Sequence, residues 1–204
     1  MLYKRKVSKD GKVEKYKCRF VTQGFRQIEG VHYTKKYSPP PATASIRVLL
    51  ATAAEREGEL RHFDAEQAFL KADIDDEVYI EIPESFEHFP GAVGKLNKAI
   101  YGLIQVGRCW NIQFCDDMTP IGFKQSKAYP CMLRKVVDEE AEMAVVVHVD
   151  DILVHAKDCA TTEWFATQLR GRFKLKDLPK AEFYMGCHVT RNRKAHKLKL
   201  DQHM

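Results

Sequence analysis

The chain lacks any long apolar run. No window approaches the ~18 consecutive apolar residues that a membrane span requires, and the N-terminus, MLYKRKVSKDGK, has no apolar signal core. An intracellular protein, cytoplasmic or nuclear, with no membrane partner is therefore expected. Paired cysteines are also missing. Cys18, Cys109, Cys115, Cys131, Cys159 and Cys187 never form a C-x-x-C pair, which argues against a zinc site or a disulfide framework and leaves buried reduced thiols. No internal repeat or low-complexity tract appears, so repeat architectures are excluded.

What is present is a globular composition with an uneven charge. At 204 residues and 45% hydrophobic, the chain suits one domain, or one with two lobes. Residues 1–36 carry eleven Lys or Arg against three Asp or Glu; residues 37–169 carry twelve against twenty-two; residues 170–199 carry ten against two. Basic flanks around an acidic centre suit a polyanion held at the ends and cations held in the middle, although solvated faces give the same pattern.

The most informative stretch is AVVVHVDDILVHA, Ala144 to Ala156. Its β-branched runs predict a hairpin that meets at Asp150 and Asp151. Two adjacent carboxylates raise each other's pKa unless a cation sits between them, so the pair reads either as a metal site or as an ordinary turn.

In chain order, residues 3–22 predict two strands around Asp10-Gly11, with Lys15, Lys17 and Arg19 on one face and Tyr16, Cys18 and Phe20 on the other. That face suits phosphate, or a lysine-guarded edge strand. The YSPPP run, Tyr37 to Pro41, predicts a connector between lobes. Thr43 is a candidate cap for a helix with Ile46, Leu49, Leu50 and Ala53 on one stripe, closed by Gly58. Leu60 to Asp64 predicts a strand ending in a carboxylate, Ala65 to Leu70 a turn or short helix, and Val78 to Ile82 a further strand. Asp73, Asp75, Asp76 and Glu77 look like a solvated loop. Leu96, Ile100 and Leu103 form one apolar stripe and Trp110, Phe114 and Met118 a second, helical one, with Gly107 separating them. Asp138 to Glu142 predicts an acidic tip, Thr161 to Phe173 a helix with Trp164, Phe165 and Leu169 inward, and Glu182 to Leu200 a last hairpin around a basic turn, Arg191 to His196. The element order predicts an α+β fold, a ferredoxin-like antiparallel sheet packed on one face by helices, with Asp64 beside the central hairpin.

Asp64, Asp150 and Asp151 would then supply three hard oxygen donors, suited to Mg²⁺ or Mn²⁺. Two such ions ~3.5–4 Å apart can activate a hydroxyl and neutralise a leaving pyrophosphate. Nucleotidyl transfer is the natural reaction, and a metal nuclease is the alternative.

Six segments, YKCRFVTQGFRQ, FDAEQAFL, KLNKAIYGLIQVGRCW, GFKQSKAYPC, HVDD and FKLKDLPKAEFYMG, occur in this order. Together they resemble the reverse transcriptase domain of copia-type LTR retrotransposons, from about Tyr3 to the C-terminus. The resemblance implies a right-hand polymerase with fingers (about 1–44 and 78–107) and a ferredoxin-like palm (about 45–77 and 108–190). Residues 191–204 would start a truncated primer-grip and thumb connection. It implies an RNA-directed DNA polymerase fragment that transfers deoxynucleotides from dNTP to a primer 3′-hydroxyl on an RNA or DNA template, using two Mg²⁺ or Mn²⁺ ions. Thumb, RNase H and integrase regions would belong to the rest of a polyprotein. A catalytically inactive remnant that at most binds nucleic acid is the other reading.

Carried over by position, the resemblance makes Asp64, Asp150 and Asp151 the metal ligands. Arg19, with Lys17 or Lys15, would meet the triphosphate. Phe69 would be the gate against a 2′-hydroxyl, or else a core residue, and Gln105 would line the nucleotide pocket. Tyr184, Met185 and Gly186 would grip the primer, and Lys174 or Lys176 could protonate pyrophosphate. The sequence departs from the family pattern at Ala42, Gly107, Tyr129 and His148, where Arg, Pro, Asp and Tyr are usual, and Pro40 and Pro41 replace less rigid residues.

Overall fold

A computed structural model describes residues 1–8, 10–40, 43–83, 91–137, 140–178, 181, 183–184 and 187–201; of Val137, Glu140–Glu142 and Phe183 it describes the backbone alone. Pro41, Ala42, Asp138, Glu182, Met185 and Gly186, named above, lie outside the described residues. In chain order the elements are β1 (Leu2–Val7), β2 (Val13–Arg19), α1 (Thr43–Glu55), β3 (Glu59–Ala65), α2 (Ala68–Lys71), β4 (Tyr79–Glu81), β5 (Val93–Lys95) and α3 (Val106–Met118). There follow β6 (Phe123–Gln125), β7 (Met132–Val137), β8 (Glu140–His148), β9 (Asp151–Ala156), α4 (Cys159–Arg170), β10 (Leu175–Leu178), β11 (Phe183–Tyr184), β12 (Cys187–Asn192) and β13 (Lys197–Asp201). The fold is mixed, with antiparallel sheets. Among the described residues, no helix is long and apolar enough to cross a membrane.

The chain divides into two compact units, one of Met1–Ser38 with Phe69–Trp110 and one of Pro39–Ala68 with Asn111–Met204. The first crossing falls within the Tyr37–Pro41 run.

In the first unit, β1 and β2 pair as predicted, with Lys4 opposite Lys17 and Lys6 opposite Lys15. The face expected to be apolar is not buried, since Tyr16 is 77% and Tyr3 75% exposed. Phe20, just beyond β2, does pack inward, against a cluster of Val78, Ile100 and Leu103 with Leu96 and Ile80. That cluster contains the predicted Leu96–Ile100–Leu103 stripe, but the stripe is not a helix. Its backbone bonds leave the segment: Thr22 N–H donates to Tyr101 O at 2.9 Å and Ala99 N–H to Ala72 O at 2.9 Å. Gly102 has φ +98°, and a Cβ there would meet Thr22 O at 2.2 Å, so the apolar spacing served packing and not helical hydrogen bonding. Gly107 is a helical residue of α3 and not a separator; a Cβ would lie 3.1 Å from Ser38 Oγ. The acidic loop is exposed at Asp73, Asp75 and Glu77, as expected, and two of its carboxylates form surface pairs, Asp75 with Arg108 at 2.7 Å and Asp73 with Lys98 at 2.5 Å.

In the second unit, six strands run in the order β10-β3-β9-β8-β7-β6. Alternation puts Phe63, Val145, Ile152 and Val154 on one face, all buried. Helix α4 covers that face: Phe165 packs on Phe123, and Lys135 caps the half-buried Trp164 ring at 3.9 Å. Asp158, which accepts from Thr161 N–H at 2.7 Å, caps α4, whose first residue, Cys159, lies two residues before the predicted start. The other face, with Ala144, Val146 and Leu153, meets Leu49 and Leu50 of α1. Helices therefore cover both faces and not one, because α1 and α4 have apolar stripes that need separate partners. The outer strand beside β3 is β10, and the predicted last hairpin forms a separate three-stranded sheet, β11-β12-β13. Helix α1 begins at Thr43, which is its first residue and not its cap. Of the cysteines, Cys109 and Cys131 are buried and Cys18 and Cys159 exposed, so burial holds for only some of the thiols; all six are free.

Candidate active site

The acidic candidates come together through strand register. Asp64 at the end of β3 is directly opposite Asp151, the first residue of β9. Asp151 is opposite His148 on β8, and Asp64 is opposite Lys176 on β10. A row Lys176–Asp64–Asp151–His148 thus crosses four strands on the face that carries α1. Asp150 sits in the turn and is joined to β3 through the backbone, Ala65 N–H donating to Asp150 O at 2.7 Å. The fully buried pair Phe63 and Ile152, one position along, holds the register, since a slip of one residue would turn both to the opposite face.

Backbone strain flanks the row on both strands. Val149 has φ +51° and Gln67 φ +59°. A β-branched residue in the left-handed region costs roughly 1–2 kcal/mol, and such outliers persist where the surroundings over-determine them. At Val149 the strain lets the tight turn bring Asp150 and Asp151 back against β3.

His62 Nε2 lies 2.9 Å from Asp151 Oδ1. The His62 side chain is buried, its ring edge-on to Tyr184 with centroids 5.1 Å apart. Asp150 Oδ1 is shielded from solvent, and the residue is held by further contacts. Among the described residues, no three acidic, histidine or cysteine side chains are gathered closely enough to hold a metal ion. In its chemistry the donor set fits a hard divalent cation: Asp64 and Asp151 are register partners, Asp150 lies beside them in the turn, and all three are partly exposed carboxylates.

The remaining site candidates distribute as follows. In the first unit, the Arg19 guanidinium lies over the Tyr101 ring at 5.3 Å, and Tyr101 packs on Phe69 at 4.9 Å. Arg19 and Phe69 are thereby brought to one stack, and Phe69 is 9% exposed. Gln105 is fully buried, accepting from Gln27 at 3.1 Å and donating to His32 O and Asp76 Oδ2 at 3.3 Å. It holds loops together. Lys15 and Lys17 stand on the exposed β2 face. In the second unit, Lys174 pairs with Glu66 at 2.8 Å, and Lys176 is exposed opposite Asp64. Tyr184 is buried among core residues at 2% exposure. Tyr129 packs against that core and His148 stands in the acidic row. Sequence reasoning missed His62 and Tyr101. The two-residue spacing of His62 from Asp64 on one strand was the available signal for the first.

A sequence profile described as reverse transcriptase (RNA-dependent DNA polymerase) matches residues 1–204. The chain is 35% identical over 204 residues to the retrovirus-related Pol polyprotein from transposon TNT 1-94 of Nicotiana tabacum, covering 97% of this chain and 15% of that protein. It is 31% identical over 192 residues to the Pol polyprotein from transposon RE1 of Arabidopsis thaliana, covering 93% of this chain and 13% of that one. The chain thus spans a small part of the length of these relatives. With its full-length match to the profile and its likeness to transposon Pol polyproteins, the chain belongs to the reverse transcriptase (RNA-dependent DNA polymerase) family, of the copia type that its motifs resemble.

Proposed function

We propose that the chain is the fingers and palm portion of an RNA-directed DNA polymerase, extending a primer on an RNA or DNA template. The observation that carries this reading is the register of β3 against β9, which sets Asp64 opposite Asp151 with Asp150 bonded beside them. In the second unit, the palm of this reading, the three carboxylates would hold two Mg²⁺ or Mn²⁺ ions. Bound there, the ions would supply charge neutralisation and a lowered hydroxyl pKa for attack of a primer 3′-hydroxyl on the α-phosphate of a dNTP. Lys176, exposed and opposite Asp64, is the better placed of the two lysines to give a proton to pyrophosphate, because Lys174 is engaged by Glu66. In the first unit, the fingers of this reading, Arg19 would bind triphosphate oxygens through its planar guanidinium. Phe69, backed by Tyr101, would exclude a 2′-hydroxyl.

Extension of a labelled DNA primer on an RNA template, with Mg²⁺ and then Mn²⁺, tests the reading. The expected result is dNTP-dependent extension that Asp150→Asn abolishes. Cleavage without triphosphates would instead indicate a nuclease. Salt-sensitive binding with no extension, from a folded chain supplied with the remaining polyprotein regions, would favour an inactive remnant.

A further inference from the structure

Asp151 opens a strand at the sheet's end, where its side chain is 38% exposed and water alone would leave it several rotamers. One neighbour restrains it. His62 lies on the same face of β3 as Asp64, two residues earlier, and its register partner on β9 is Leu153. Its ring reaches diagonally to Asp151 and puts Nε2 at 2.9 Å from Oδ1. An ionised carboxylate only accepts hydrogen bonds, so Nε2 must carry the proton and donate it.

The imidazole is itself fixed. Its side chain is 7% exposed, and Tyr184, against which it packs edge-on, belongs to the buried cluster of Leu49, Leu50, Val146 and Leu153. The chain of contact therefore runs from the core through Tyr184 and His62 to Asp151. A buried histidine that only stabilised the fold would find its partner inside that core. This one spends its donor on a half-exposed carboxylate in the acidic row. With one lone pair of Oδ1 engaged, Oδ2 keeps both of its own for a cation.

We propose that His62 is a positioning residue: by donating Nε2–H to Asp151 it pre-orients that carboxylate for a divalent ion. The inference rests on the metal-binding reading above. It adds a residue that does not itself touch metal or substrate.

Mn²⁺ titration of the full chain, followed by the paramagnetic signal of the free ion, tests it without turnover. Thermal unfolding of each variant is measured alongside. Removing such an outer partner of a metal ligand typically weakens binding 10–100-fold, and that loss is expected for His62→Phe. His62→Gln, whose amide can donate from nearly the same place, should stay within about threefold of the parent. His62→Asn keeps the amide but is too short to reach Asp151. It should behave like His62→Phe, and it answers the question should the bulkier variant not fold.

Binding that Asp151→Asn weakens but His62→Phe and His62→Asn leave unchanged would overturn the positioning role and leave the metal reading standing. Equal loss in His62→Gln and His62→Phe would also overturn it, since the donated bond would then not be the cause. Binding indifferent to Asp64→Asn, Asp150→Asn and Asp151→Asn alike would remove the metal reading, and the inference with it.

Discussion

His155 shows how a single buried side chain links this fold to pH. It is 2% exposed and its Nε2 atom takes no hydrogen bond. Burial, reinforced by the positive charges of Arg191 and Arg56, pushes its imidazole down to about 4. A folded-state value below the unfolded one near 6.5 means that the unfolded chain binds more protons between those limits. Stability is therefore full above pH 6.5 and is lost as pH falls toward 4, by roughly 2–3 kcal/mol. Denaturant unfolding at pH 7.0 and pH 4.5 should show this loss, and His155→Leu should flatten it; an unchanged slope in the variant would put the acid sensitivity elsewhere. At this scale the sequence was readable where chemistry resides in residue type. Strand-end carboxylates marked Asp64 as a neighbour of the Asp150–Asp151 hairpin, and the register of β3 with β9 sets Asp64 opposite Asp151. His62 was not marked, because its two-residue spacing from Asp64 signals only a shared strand face until the pairing of β3 with β9 aims its ring at Asp151. Val149 read as one more β-branched strand residue, and only the folded turn shows its positive φ.

Among the elements, α1 and the small β11-β12-β13 sheet share an apolar cluster that includes Leu49, Leu50, Tyr184 and Val189, and one guanidinium adds polar ties across it. Arg191 on β12 donates to Ala53 O at 2.7 Å and Gly58 O at 2.6 Å, satisfying a carbonyl at the C-terminal end of α1 and another just beyond it. Arg193 Nη2 also donates to both carboxylate oxygens of Glu59, at 2.7 and 2.8 Å. Arg191→Met should cost about 2–4 kcal/mol, because two carbonyls lose a charged donor, and Arg191→Lys should recover only part, lacking the fork. Chemical denaturation measures both, and full recovery by lysine would show that charge alone matters. Most elements were legible from alternation and turn residues, including both hairpins that frame the fold, β1–β2 and β8–β9. Two failures share one cause. The Leu96–Leu103 stripe and strand β10 take their identity from partners distant in sequence, and periodicity carries no information about which backbone will supply the hydrogen bonds.

For the molecule as a whole, the charge asymmetry seen along the sequence becomes a surface. Lys4 faces Lys17 and Lys6 faces Lys15 across β1 and β2, which gathers four lysines on one face of the hairpin. Replacing these four lysines with Gln should weaken binding of a primer–template and lower the salt-dependence slope by about 2–4. Filter binding across a salt series tests this, and an unchanged slope would move the nucleic acid elsewhere. A two-lobed chain was legible from the Tyr37–Pro41 run. The two later crossings, at Ala68 to Phe69 and Trp110 to Asn111, were not, because no linker composition marks them. The interleaving also sets a timetable. The bond from His62 to Asp151 spans 89 residues, so when β3 leaves the ribosome its central neighbour has not been made. At about 5–20 residues per second the wait is on the order of ten seconds. For that interval Leu60 and Phe63 have no sheet to enter, and the nascent chain is a client for whatever shields apolar strands during translation.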